Sequence, residues 1–286
     1  QLGNMWERVM RITGLAQFIT ESIPNNGDFL DVVKRISILS KTDLMTHMVS
    51  EFPNLSGIMG REYSLLQGED MRVAQGISDH YLPRFSGDDL PKNIEGAIVG
   101  LADRFDLISG SFIKGLIPSG SQDPYALRRA ALGAVAIITG KNIEISLNRV
   151  ISKSLELYGQ KDAKILNLII DFIKQRLKNV LISEGIKYDL CDAVLQSADD
   201  LISAYCKAFI ISKSAGEDWF KEIVHTQDRI TRIAKNFESV KIDEKYFIES
   251  AEKDMYESYL NTKNIYMDYM NKKDYGKALY ALKNLT

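Results

Sequence analysis

The chain has 286 residues, of which 45% are apolar and 26% charged, and a formal net charge of −2 at neutral pH. That length suits one large or two medium domains with a sizeable core. The near balance of charge excludes a global positive field, so any contact with nucleic acid has to come from local patches.

Strand signals are weak throughout, because no sustained alternation of β-branched residues occurs, and the expected fold class is all-α. Residues 5–22 read as a first helix, with Met5, Val9, Ile12, Ala16 and Ile19 or Ile23 on one stripe. Helices follow at about 28–51 and 67–81, before Pro83 and Pro91 break the chain. Ile94, Ala97, Ile98, Leu101, Ala102, Phe105 and Ile108 mark an apolar helix over 91–113. Asp123 is a good N-cap with Pro124 at the first helical position, and the helix it starts is expected to run to about 139, where Gly140 can end it. Gly133 inside that helix costs about 1 kcal/mol against alanine, which suggests a close approach by another backbone. All six prolines lie at or before Pro124, and residues 125–286 hold only six of the nineteen glycines. The second part is therefore expected to be purely helical, with segments at about 146–158, 161–184, 188–212, 216–236 and 243–270 and a short one from 273. Asp243 is a cap candidate, and the stripe Phe247, Ala251, Met255, Tyr259, Tyr266 and Met270 is expected in a core.

The two cysteines, Cys191 and Cys206, lack CxxC spacing, which argues for a reducing compartment and hence the cytoplasm. Each is expected as a small buried hydrophobe. No apolar run reaches the roughly 18 residues that span a bilayer, so no membrane partner is expected. The first residue is Gln1 rather than Met, and the chain is expected to be a piece of something longer.

Only three histidines exist, His47, His80 and His225, on different predicted elements, so a three-histidine zinc site is nearly excluded. Neither HExxH, GxSxG nor a P-loop occurs, and no glycine-rich dinucleotide fingerprint follows a strand. Leu101-Ala102-Asp103-Arg104-Phe105-Asp106 resembles the last metal-ligand motif of HD-type phosphohydrolases. Lys41-Thr42-Asp43-Leu44 resembles their His-Asp pair, with Thr42 in place of the first partner. Ile77-Ser78-Asp79-His80-Tyr81 resembles the intervening histidine segment. Asp43, His80 and Asp103 thus look like the remnants of such a site, and no metal is expected, because a two-metal hydrolase needs most of its ligand set.

A second resemblance covers more of the chain. It rests on Leu2-Gly3, Met5-Trp6, Arg11-Ile12, Ser40-Lys41-Thr42-Asp43-Leu44-Met45-Thr46-His47-Met48-Val49, Glu51-Phe52-Pro53-Asn54-Leu55-Ser56-Gly57-Ile58-Met59-Gly60, Tyr81-Leu82-Pro83, Asp88-Asp89-Leu90-Pro91, Ala102-Asp103-Arg104-Phe105-Asp106 and the run Ser121-Gln122-Asp123-Pro124-Tyr125 through Gly133. With these residues the chain resembles the β subunit of the two-subunit bacterial glycyl-tRNA synthetases. His225-Thr226-Gln227-Asp228-Arg229-Ile230-Thr231-Arg232-Ile233 resembles the start of the helical anticodon-binding domain of arginyl- and glycyl-type synthetases, with Arg232 where that family usually has asparagine.

The resemblance implies an HD-like helical domain with a degenerate metal site at 1–150, a helical linker at 151–195 and part of an anticodon-binding domain at 196–286. It implies a non-catalytic subunit that binds tRNA(Gly) and joins a separate α subunit in an α2β2 assembly. Catalysis, ATP and Mg2+ belong to the α subunit, so neither a catalytic residue nor a bound cofactor is expected here. The basic residues expected to meet RNA phosphates are Arg128, Arg129, Arg229, Arg232 and Lys235, the last three spaced by three along one helix. The readings weighed against this are a metal-dependent phosphohydrolase using Asp43, His80 and Asp103, and a pure interaction scaffold.

Overall fold

The computed structural model describes residues 3–23, 29–118, 123–235 and 242–285. Leu2, Ser121, Gln122, position 28 and the last residue of the segment expected at 216–236 lie outside the described residues. Among those described, every regular element is helical, so the all-α expectation holds: fourteen α-helices are joined by loops and four short 3-10 turns. The chain divides into two compact units, one of Gln1–Glu184 with Leu195–Tyr205 and one of Gly185–Val194 with Cys206–Thr286.

In the first unit, α1 (Met5–Ser22) starts with a reciprocal cap between Asn4 and Glu7 and buries Val9, Ile12, Leu15, Ala16 and Ile19. Met5 lies outside that stripe and is exposed. The single helix expected over 28–51 is broken. It comprises α2 (Leu30–Leu39), a 3-10 turn at Thr42–Met45, and α3 (His47–Glu51). The break has a local cause. The hydroxyls of Ser40 and Thr42 donate to the carbonyls of Ser37 and Leu39, and Thr46 Oγ1 caps α3 at Val49 N. Such side-chain bonds compete with the helical ladder. Likewise the expected 67–81 helix is α5 (Met71–Asp79), and a further helix, α4 (Ile58–Leu66), precedes it.

The centre of this unit is α6 (Ile94–Ile113), which is buried along nearly its whole length and packs against α1, α2, α5, α7, α8 and α9. Its small residues allow this. A Cβ on Gly100 would lie 2.9 Å from the carbonyl oxygen of His80, so only glycine admits the end of α5 here. Three further helices, α7 (Leu127–Lys141), α8 (Leu147–Leu157) and α9 (Ala163–Ser183), complete the core.

The start of α7 differs from the sequence expectation. Asp123 is not the N-cap residue, which is Ala126 with a left-handed φ of 56°; its carboxylate still accepts from the first-turn N–H groups of Leu127 at 2.8 Å and Arg128 at 2.9 Å, and Pro124 lies in the turn before the helix. Gly140 does not end α7; Asn142 does, with its own left-handed φ of 52°.

The segment expected at 188–212 is two helices, α10 (Tyr188–Gln196) and α11 (Leu201–Ser214). In the second unit α12 (Asp218–Ala234), α13 (Ser250–Asn271) and α14 (Tyr275–Ala281) follow, with Asp243 capping a 3-10 turn rather than α13. The stripe on α13 is not core. Met255 and Tyr259 are exposed, and the one buried residue of the helix is Thr262. The main packing of α13 is against α14 and the closing 3-10 turn, so the aromatic face is covered on one side and otherwise stacks on itself, Tyr256 on Phe247 and Tyr259. Cys191 is buried as expected, whereas Cys206 is only half-buried, and neither forms a disulfide.

Candidate functional site

The charged residues of the motif 102–106 fall on α6, which is otherwise apolar. Asp103 and Asp106, three apart, share one face, and Arg104 is turned about 100° from Asp103. Arg8 and Arg11 have the same spacing on α1 and meet that face. Arg8 Nη2 donates to Asp103 Oδ1 at 2.8 Å and Arg11 Nε to Asp106 Oδ1 at 2.7 Å. Tyr158 closes this end, with Arg11 4.1 Å from its ring centroid and its hydroxyl donating to the Asp106 carbonyl at 3.1 Å.

The other oxygen of Asp103 belongs to Lys41. The buried ammonium lies 2.7 Å from Asp103 Oδ2, 2.9 Å from His80 Nε2 and 4.3 Å from the centre of the Tyr81 ring. His80 Nδ1 is 2.6 Å from the carbonyl of Ile77, which can only accept, so Nδ1 carries the proton and Nε2 turns a lone pair to the ammonium. Burial, reinforced by the neighbouring Lys41 charge, holds the His80 pKa well below its ordinary value, so the ring is neutral. Burial alone would raise the Asp103 pKa, but Lys41 and Arg8 outweigh it and hold the carboxyl far below the usual carboxylate range. The Lys41 pKa is lowered by the same burial, against the pull of Asp103.

Of the three expected remnants, then, His80 and Asp103 come together and Asp43 does not join them. Asp43 Oδ2 accepts from Gly57 N at 2.5 Å and pins the start of α4, while its buried Oδ1 has no partner. Among the described residues no group of three His, Cys, Asp or Glu side chains is arranged to hold a metal. The donors do not fit a divalent cation, since a lysine ammonium fills the space between His80 and Asp103 and Arg8 faces the same carboxylate. What this centre does is tie α1 and the segment just after α2 to α6 through the ion pairs of Asp103, and the end of α5 to both through the hydrogen bond of neutral His80 to Lys41.

Arg104 works on the opposite side. Its guanidinium donates to four backbone carbonyls, those of Gly100 (2.9 Å), His80 (3.1 Å), Tyr81 (3.1 Å) and Pro83 (2.9 Å). Burial lowers its pKa to about 10, so it stays charged at neutral pH. Gly133 of α7 lies against it: a Cβ there would sit 2.7 Å from Arg104 Nε. The close approach at Gly133 is thus a side chain, not the backbone expected from sequence. Arg104 ties the 80–83 segment, with its cis Leu82–Pro83 bond, to α6 and α7.

The basic residues expected to meet RNA lie in both units. Arg129 is exposed on the first turn of α7 and has no hydrogen bond or ion pair among the described residues. Arg128 is half-buried beside it, and burial, reinforced by the nearby Arg128 charge, lowers the pKa of Arg176 on α9. Arg229 and Arg232 lie on α12 and Lys235 just beyond its end, all exposed, and Arg232 pairs with Asp228 at 2.5 Å. Lys41 and Arg8 were not singled out from sequence. The matched three-residue spacing of opposite charges on two apolar helices is the signal that points to the Arg8 and Arg11 pairs.

Residues 1–196 match the family described as glycyl-tRNA synthetase beta subunit. Curated relatives include the glycine–tRNA ligase beta subunits of Bacillus subtilis strain 168, 38% identical over 99% of this chain and 41% of the relative, and of Halalkalibacterium halodurans, 36% identical over 99% and 42%. That of Clostridioides difficile strain 630 is 36% identical over 98% of this chain and 41% of its own. The chain therefore spans about two fifths of the length of these relatives. On the extent of the family match and the near-complete coverage of the chain, this protein belongs to the glycyl-tRNA synthetase beta-subunit family.

Proposed function

We propose that the chain is a non-catalytic, tRNA-engaging part of a glycine–tRNA ligase, which attaches glycine to tRNA(Gly) with ATP on a separate α subunit. The reading rests on the family, and the observation in the fold that carries it is the placement of Arg129 and Arg229. Both are exposed without an ion pair among the described residues. Free arginines on rigid helices serve to position a phosphate backbone without reading sequence. On this reading 1–150 is an HD-like scaffold whose former metal position is held by Lys41, 151–195 is a linker, and 196–286 is part of an anticodon-binding domain. ATP and Mg2+ act on the α subunit, the assembly is α2β2, and the compartment is the cytoplasm.

The test is tRNA(Gly) binding by the full-length β subunit assembled with α, comparing wild type with the Arg229→Glu/Arg232→Glu double variant. Weaker binding and a shallower dependence on salt support the reading. Equal affinity and equal slope overturn the part assigned to α12. The lysine-filled centre argues against the phosphohydrolase reading.

A further inference from the structure

A concavity of about 160 Å3 opens between the 83–88 loop, α7 and α9, and Arg84, Phe85, Arg129, Gly133 and Val180 are among its lining residues. Nothing in the family match or in the lysine-filled centre accounts for it. Two arginines face it, and neither forms an ion pair. Arg129 is free among the described residues, while the Arg84 guanidinium donates to the backbone carbonyls of Asn54 at 3.0 Å and Ser56 at 2.7 Å. The one carboxylate in the wall, Asp88, is turned onto the backbone N–H groups of Arg84 and Asp89. One turn before Val180 on α9 stands Arg176, close to Arg128, which extends the positive surface beyond the rim.

Phe85 stands at this rim with 63% of its surface exposed. The loop that presents this ring is pinned. Arg84 anchors it to the 54–56 segment, Asp88 closes it on Arg84 N, and Arg104 holds the Pro83 carbonyl from below while packing on Gly133. A fixed, exposed ring beside guanidinium groups that no carboxylate neutralises, with Arg129 free to turn outward, is the chemistry that takes a nucleotide, the heterocycle stacking on the ring and the phosphate meeting Arg129. The space is too small for a drug-sized ligand, which needs roughly 300 Å3 or more. It suits one base whose backbone continues outside along Arg128 and Arg176.

We infer that the 83–88 loop and α7 form a site for a single unpaired nucleotide of a structured RNA, with the base on Phe85 and its phosphate on Arg129. This rests on the tRNA-binding reading proposed above and adds a place and a mode to it.

The experiment uses the full-length β subunit assembled with α and titrates tRNA(Gly) against wild type, Phe85→Ala, Phe85→Trp and Arg129→Gln. Phe85→Ala is expected to weaken binding about 10-fold, the loss of one stacked base. Phe85→Trp is expected to retain affinity, with tryptophan fluorescence quenched on binding. Arg129→Gln is expected to bind several-fold more weakly and to lower the salt slope by about one. Unchanged affinity and slope in Phe85→Ala and Arg129→Gln, while Arg229→Glu/Arg232→Glu still weakens binding, overturns the site and leaves the tRNA reading standing. Absence of binding by wild type overturns both. Quenching of Phe85→Trp by AMP alone, with none by tRNA, marks a free-nucleotide site and overturns the RNA assignment. Loss of the α subunit from Phe85→Ala on gel filtration marks a protein-docking surface and does the same.

Discussion

The ammonium of Lys41 lies 2.7 Å from one oxygen of Asp103 and 2.9 Å from the bare nitrogen of His80, so a side chain fills the space between two residues of the sort that elsewhere ligate metal. The pair is almost entirely dry. Lys41 has 5% of its side chain exposed and Asp103 15%. Removing one partner leaves the other charge without its counter-ion in a low-dielectric site, which costs far more than an exposed pair is worth. Lys41→Met is expected to destabilise the chain by about 3 kcal/mol in urea unfolding. The Lys41→Met/Asp103→Asn double variant should recover part of that loss, and strict additivity of the two single effects would refute the coupling.

The same contacts set a pH dependence. The folded His80 pKa lies below the unfolded value of about 6.5, so between the two the unfolded chain binds the extra proton. His80 therefore contributes stability that is present above pH of about 6.5 and lost as pH falls below it, at up to about 1.4 kcal/mol per pH unit. Asp103 is depressed in the same sense, and its contribution is lost below the unfolded carboxylate value of about 4. Urea midpoints measured between pH 5 and 8 should rise with pH, and His80→Gln should flatten the curve between 5 and 7. A variant with the wild-type slope would assign the effect to other groups.

With Lys41 in the space between His80 and Asp103, divalent metal is not expected to bind there. Manganese or zinc at concentrations matching the protein should leave the Tm unchanged, as should EDTA. A metal-dependent rise of several degrees that Asp103→Asn abolishes would revive a hydrolase centre.

Gly133 offers a test of opposite sign to helix propensity. Alanine in mid-helix normally gains about 1 kcal/mol over glycine. Here its methyl would lie 2.7 Å from Arg104 Nε, on a guanidinium that four carbonyls keep from moving. Gly133→Ala is expected to lower stability by about 1–2 kcal/mol, the usual cost of overpacking. A stabilised variant would mean that Arg104 gives way.

The amino-acid sequence alone determined much of this protein. Apolar period, capping residues and the confinement of proline to the first part determined that it is helical, and α1, α6, α8 and α9 run close to where those local signals place them. Local chemistry also placed Asp123 at the start of α7, though the left-handed Ala126 delays the helix beyond Pro124. The breaks at 40–46 and 197–200 were hidden, because side-chain bonds to the backbone leave no mark on apolar periodicity. The fate of the charged residues was decided only by tertiary structure. Asp43, His80 and Asp103 read as one set from their order along the chain, yet Asp43 turns to Gly57 and Lys41, 39 residues from one partner and 62 from the other, completes the cluster. The physical reason is burial. A charge in a dry interior takes whichever counter-charge the packing of distant helices brings within about 3 Å, and that distance is a property of the fold rather than of any local run of residues.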